Sequence, residues 1–145
     1  SPTGVKGLMM LTRKTAYDLK INNRRDPFTS VKGGTKYFLA MLEKIPARIS
    51  EPDRTWMALA AYNVGFGHLE DARILTQSAG EDPDLCMNVK RYLPLLSNKK
   101  WYKKTRHGYA RGKEPVVYVQ NIRNYFDLLV WLENKGKLYN LVAQN

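Results

Sequence analysis

The chain has 145 residues, the length of one domain, and enough apolar and aromatic residues for a packed core, which excludes a disordered chain. Its formal net charge is +11 and it has one cysteine, so an internal disulfide is excluded and attraction to nucleic acid, anionic lipid or acidic cell-wall polymers is expected. No apolar run has the length of a membrane span or the pattern of a signal peptide.

Taken in order, the predicted elements are helices. Thr12 can cap a short helix through Ala16 and Leu19. Asp26-Pro27 is a strong helix start, with an acceptor at the cap and proline in the first turn. The helix after it carries Phe28, Val31, Tyr37, Phe38, Met41 and Leu42, and Pro46 follows its end. Gly33-Gly34 inside it suggests close packing. Glu51-Pro52-Asp53 opens a helix that ends at Tyr62-Asn63, and another runs from Gly67 through Leu75. Asp82-Pro83-Asp84 starts one more, with Leu85, Val89 and Tyr92; Cys86 there reads as a buried thiol.

A long basic loop comes next. Lys99, Lys100, Lys103, Lys104, Arg106, Arg111 and Lys113 alternate with Trp101, Tyr102, His107 and Tyr109. Such a segment can grip a nucleic-acid backbone or stack on sugar rings. Glu114-Pro115 opens the longest helix, with an apolar stripe at Tyr118, Ile122, Tyr125, Leu129 and Leu132, and Gly136 ends it. Residues 137–145 read as a tail. Nothing alternates with period two for long, so an all-α domain of about six or seven helices is predicted.

Few residues suggest chemistry by themselves. His68 and His107 lie in separate segments without partners at ligand spacing, so no metal is expected. No phosphate loop or dinucleotide fingerprint is present, and no cofactor is expected. Glycan cleavage needs a carboxylic acid in an apolar pocket. Glu114, four residues before Tyr118, is the acid that stands out, although a helix-start acid favoured by the macrodipole explains it equally well. The stretch Ala60-Ala61-Tyr62-Asn63-Val64-Gly65 leaves a phenol and a carboxamide side by side at a helix end, where both can reach a ligand.

That stretch has two companions, Ser1-Pro2-Thr3-Gly4-Val5-Lys6-Gly7-Leu8-Met9-Met10-Leu11-Thr12 and Tyr118-Val119-Gln120-Asn121-Ile122. In this order the three resemble the lytic transglycosylases that cut bacterial peptidoglycan, relatives of goose-type lysozyme. The runs Asp71-Ala72-Arg73, Leu93-Pro94-Leu95-Leu96-Ser97 and Gly108-Tyr109-Ala110-Arg111-Gly112 are similar to a membrane-bound branch of that family. The resemblance covers nearly the whole chain and implies a lysozyme-like helical fold. It implies that Met9, Met10, Tyr62, Asn63 and Tyr118 line the glycan cleft. Glu114 would take a supporting role, and Ser1 would hydrogen-bond the catalytic glutamate. The wider family's second motif reads Gly-Leu-Met-Gln; Met10 stands at its last position here, which removes a polar group from the cleft.

The resemblance also places the family's catalytic glutamate nine positions before Ser1. Residues 1–136 are therefore expected to be a catalytic domain lacking its acid-bearing N-terminal segment, inactive by itself. The parent is expected to be a periplasmic monomer attached to the outer membrane. It would bind peptidoglycan strands and cleave them to 1,6-anhydromuropeptides, with nucleic acid not expected as a partner. The alternative is a non-catalytic module that binds glycans or polyanions.

Overall fold

The computed structural model describes residues 4–143, with side chains described as far as Gly136. Ser1 lies outside the described residues. Seven α-helices follow one another among them: α1 (Arg13–Asp18), α2 (Pro27–Lys44), α3 (Asp53–Val64), α4 (Phe66–Ser78), α5 (Cys86–Tyr92), α6 (Lys99–Tyr102) and α7 (Lys113–Ala143). A 3-10 turn, Leu93–Ser97, joins α5 to α6. The only β pairing among the described residues is an isolated antiparallel bridge between Lys6 and Leu11.

Helix α3 is the hub, in contact with α2, α4, α5 and α7. Its residues Met57, Ala58, Ala60 and Ala61 are at most 3 % exposed. Three alanines in that run keep the helix thin, so neighbours on several sides approach its backbone closely. Met41, Ile45, Leu69, Val89, Leu93 and Leu96 complete the core around it.

The helix starts follow local chemistry. Thr12 Oγ1 accepts from the Thr15 amide at 3.0 Å, and Asp26 Oδ2 accepts from the Thr29 amide at 2.7 Å. Gly33 and Gly34 of α2 do mark close packing. A Cβ on Gly33 would lie 2.9 Å from Ile21, and one on Gly34 would lie 2.5 Å from both Cβ and Cγ of Met9.

The structure differs from expectation at four places. Helix α5 begins at Cys86 rather than at Asp84, because Asp84 is engaged elsewhere. Its carboxylate takes Arg48 Nε at 2.6 Å and Arg73 Nη2 at 2.6 Å. The basic segment is not all loop, since α6 occupies its first four residues. Helix α7 passes through Gly136 to Ala143. One interior glycine costs about 1 kcal/mol, too little to stop a helix flanked by good formers. The stripe on α7 meets the core at Tyr118, beside the buried Val119, while its members Tyr125, Leu129 and Leu132 are exposed.

Arg73 is 6 % exposed and gives its guanidinium to Asp84, to Glu70 Oε1 at 2.7 Å and to the Pro83 carbonyl at 3.1 Å. A nearly buried cation needs such partners. The hydrogen bond from Arg48, then that from Arg73, holds the Asp84 carboxyl below its ordinary value of 3.8. This contribution to stability is complete above that value and is lost as pH falls through the lower folded value. Asp84→Asn should cost about 1–3 kcal/mol in urea denaturation at neutral pH. The gap from wild type should close in acid below the ordinary carboxyl range. Gly34→Ala should also destabilise. The about 1 kcal/mol gained in helix propensity is smaller than the about 1–3 kcal/mol cost of overpacking against Met9. Faster amide exchange across residues 6–11 would register the displaced loop.

Candidate functional site

The cleft is built on a tight loop. Lys6 and Leu11 exchange backbone hydrogen bonds at 3.2 Å each way, and the Met10 amide donates to the Gly7 carbonyl at 3.1 Å. Gly7 has φ +79°, and a Cβ there would lie 1.8 Å from the Arg24 carbonyl oxygen. Only glycine fits. Met10 also takes a positive φ, 52°, and the residue is 56 % exposed. A non-glycine residue held there stores strain of about 1–3 kcal/mol, a common mark of functional loops.

Met9 is clamped from two sides. Its amide donates to Ser30 Oγ at 3.1 Å, and its carbonyl accepts from the Tyr62 hydroxyl at 2.6 Å. Ser30 is fully buried. Arg24 adds bonds to the carbonyls of Gly4 and Leu11, at 3.1 and 2.7 Å. The Tyr62 proton is thus committed to the loop, and its oxygen keeps acceptor capacity.

Helix α3 ends beside this loop. Gly65, at φ +94°, breaks it directly after Tyr62-Asn63-Val64 and lets α4 start at once. The Tyr62 ring lies parallel to Tyr118 of α7 with centroids 6.4 Å apart, and tilted against Tyr37 of α2 at 5.1 Å. Burial, then the neighbouring Tyr118 and Tyr37, push the Tyr62 phenol up to about 12. Burial raises Tyr118 as well. Both therefore remain neutral at physiological pH and present hydroxyls rather than phenolates.

Together these elements enclose a cleft of about 570 Å³. Met9, Met10, Tyr62, Asn63, Glu114 and Tyr118 all line it, so six of the residues singled out in sequence converge from three distant segments. Tyr37 and Thr15 line it too, and sequence reading missed them. Tyr37 falls at a core-type spacing on α2, and nothing local marks it as a cleft residue.

Glu114 is 58 % exposed at its side chain and lies 3.3 Å from Arg111 Nη1. An open carboxylate beside a guanidinium lacks the apolar enclosure that keeps a general acid protonated. Cys86 offers no alternative chemistry, because burial and then Asp53 push its thiol up to about 11. The two histidines, far apart in sequence, meet in space with ring centroids 6.0 Å apart around Asp71.

Comparison with known proteins identifies the family. The family described as Transglycosylase SLT domain matches residues 1–84, more than half of the chain. A protein of Alteromonas mediterranea named membrane-bound lytic murein transglycosylase F is 61% identical over 138 residues, 95% of this chain and 30% of that protein. Its namesake in Marinobacter nauticus is 68% identical over 130 residues, 90% of this chain and 26% of that protein. The one in Hahella chejuensis is 59% identical over all 145 residues and 28% of its own length. The chain thus spans less than a third of the length of these curated relatives. With its all-helical fold and this cleft, the chain belongs to the transglycosylase SLT domain family.

Proposed function

We propose that residues 1–136 form the substrate cleft of a peptidoglycan lytic transglycosylase. The observation that carries this reading is the convergence of the Met9-Met10 loop, Tyr62-Asn63 and Glu114 to Tyr118 on one cleft. Related proteins named lytic murein transglycosylases support the substrate.

In this mechanism the general acid is a glutamate nine positions before Ser1, supplied by the longer protein. Its proton goes to the glycosidic oxygen between N-acetylmuramic acid and N-acetylglucosamine, and that C–O bond breaks. The resulting carboxylate then takes the proton of the muramic 6-hydroxyl, whose oxygen bonds to its own anomeric carbon. The product is a 1,6-anhydro sugar, and no water is consumed. The nucleophile is already part of the substrate, so no second carboxylate is needed. Tyr62 and Tyr118 offer neutral hydroxyls and aromatic edges to the sugar, and Asn63 offers a carboxamide. Ser1 steadies the acid. Glu114 supports Arg111 and is not the proton donor. The working place is the periplasm, with attachment to the outer membrane provided by the longer protein as a monomer. Among the described residues no helix is long and apolar enough to cross a membrane.

Mass spectrometry of material released from purified sacculi tests the chemistry. The chain extended upstream to include the glutamate should release anhydro-ended fragments. Glutamate→Gln at that position should lower the rate about 10²–10⁴-fold, while Glu114→Gln should leave the product type unchanged. Reducing-end products, or activity that survives loss of the upstream glutamate, would overturn the mechanism.

The basic segment, residues 99–113, leads to the cleft edge and should contribute charge attraction to the carboxylates of muramyl peptides. Affinity for soluble peptidoglycan fragments should fall about two- to tenfold between about 50 and about 300 mM salt. Calorimetry showing no salt dependence would remove the segment from substrate binding. Tighter binding to single-stranded nucleic acid at equal ionic strength would favour a polyanion-binding module.

A further inference from the structure

Asp71 is 1 % exposed, and its ionisable partners within 4.0 Å among the described residues are His107 and His68. A buried carboxylate is costly unless its oxygens are satisfied. Those of Asp71 are satisfied chiefly by one segment. The Arg106 amide donates at 3.2 Å and the His107 amide at 2.9 Å, and His107 Nδ1 lies at 3.1 Å. Gly67 sits one turn earlier on the same face of α4. A Cβ there would lie 2.7 Å from both Cδ2 and Nε2 of His107, so the ring needs a glycine beneath it.

The chain then turns back. Gly108 takes φ +75°, and the Ala110 amide donates to the Leu96 carbonyl at 3.0 Å. Gly112 fits so closely that a Cβ would lie 1.6 Å from the Leu93 carbonyl oxygen. Between these anchors Tyr109 remains 57 % exposed, braced edge-on by Tyr102 at 5.8 Å. Tyr109 and Arg111 face a recess of about 250 Å³. It shares Asn63, Val64 and Glu114 with the main cleft.

We propose that Asp71, His107 and Gly67 are positioning residues that hold Tyr109 and Arg111 as a subsite for a carboxylate-bearing peptide branch of the glycan. The inference rests on the glycan-cleft reading above and adds the part of the substrate that this edge recognises. Arg111 is the recess's cation. Glu114 engages only one of its terminal nitrogens, and the guanidinium has further donors for a ligand carboxylate. The sugar-facing residues of the main cleft are held by other means, through Met9, Ser30 and Tyr62. Loosening the loop should therefore remove peptide recognition and leave sugar recognition in place.

Calorimetric titration with two probes separates these effects: a disaccharide tetrapeptide, and a peptide-free oligomer of N-acetylglucosamine. His107→Ala and Gly67→Ala should each weaken the peptide-bearing probe about tenfold and change the peptide-free oligomer less than about twofold. His107→Asn, whose amide can donate in place of Nδ1, should restore most of the affinity. Arg111→Gln should mimic His107→Ala. Asp71→Asn risks misfolding, so the His107 pair decides the matter, with circular dichroism as the check on folding. Equal losses for both probes, unchanged affinity for both, or no rescue by His107→Asn would overturn the proposal. Failure of the unaltered chain to bind either probe would instead overturn the glycan-cleft reading.

Discussion

The hydrogen bond from the Tyr62 hydroxyl to the Met9 carbonyl joins residues 53 positions apart. Much of the cleft depends on it. On one side is a loop with little regular structure, shaped by Gly7 and by a strained Met10. On the other is the end of α3, the helix that touches α2, α4, α5 and α7. A bond of this kind contributes about 1 kcal/mol net. Its larger effect is geometric, because it registers the loop against the hub helix. Ser30 and Gly34 complete the seat from α2, one by accepting the Met9 amide and one by leaving room for the Met9 side chain. Two helices, α2 and α3, therefore meet the loop at one methionine.

The same logic of small residues at contacts runs through the molecule. Alanines on α3 admit its neighbours, Gly34 admits Met9, Gly67 admits His107, and Gly112 admits the Leu93 carbonyl. Bulk at any of these places would separate parts that must touch. The close approaches lie next to the cleft or to the loop at its edge, so packing and binding geometry are set by the same choices.

Helix starts were legible in the sequence because their causes are local. Thr12, Asp26 and the Glu114-Pro115 pair act within one turn, and α1, α2 and α7 begin there. The motif residues of the cleft were legible through their resemblance to a family, and the fold brings all those within the described residues to one place. The roles of Tyr37, Ser30 and Asp71 in the site were not legible. Each has the spacing of an ordinary helical residue, and its role comes from a partner distant along the chain. Asp84 shows the same limit in reverse: its local pattern reads as a helix start, but two arginines from elsewhere take its carboxylate. The stripe on α7 has helical spacing whether or not a neighbour covers it, and spacing alone does not supply the neighbour.

That uncovered stretch of α7 has a consequence for handling the protein. Tyr125, Phe126, Leu128, Leu129, Val130, Trp131 and Leu132 are each at least 40 % exposed, a run that a dissolved monomer rarely shows to water. The formal charge of +11 opposes contact between two such surfaces by mutual repulsion. Colloidal stability of the 145-residue chain is then a balance between a sticky rod and a charged body, and the balance shifts with ionic strength. Salt that screens the body exposes the stickiness of the rod, so concentrated stocks should keep best in dilute buffer.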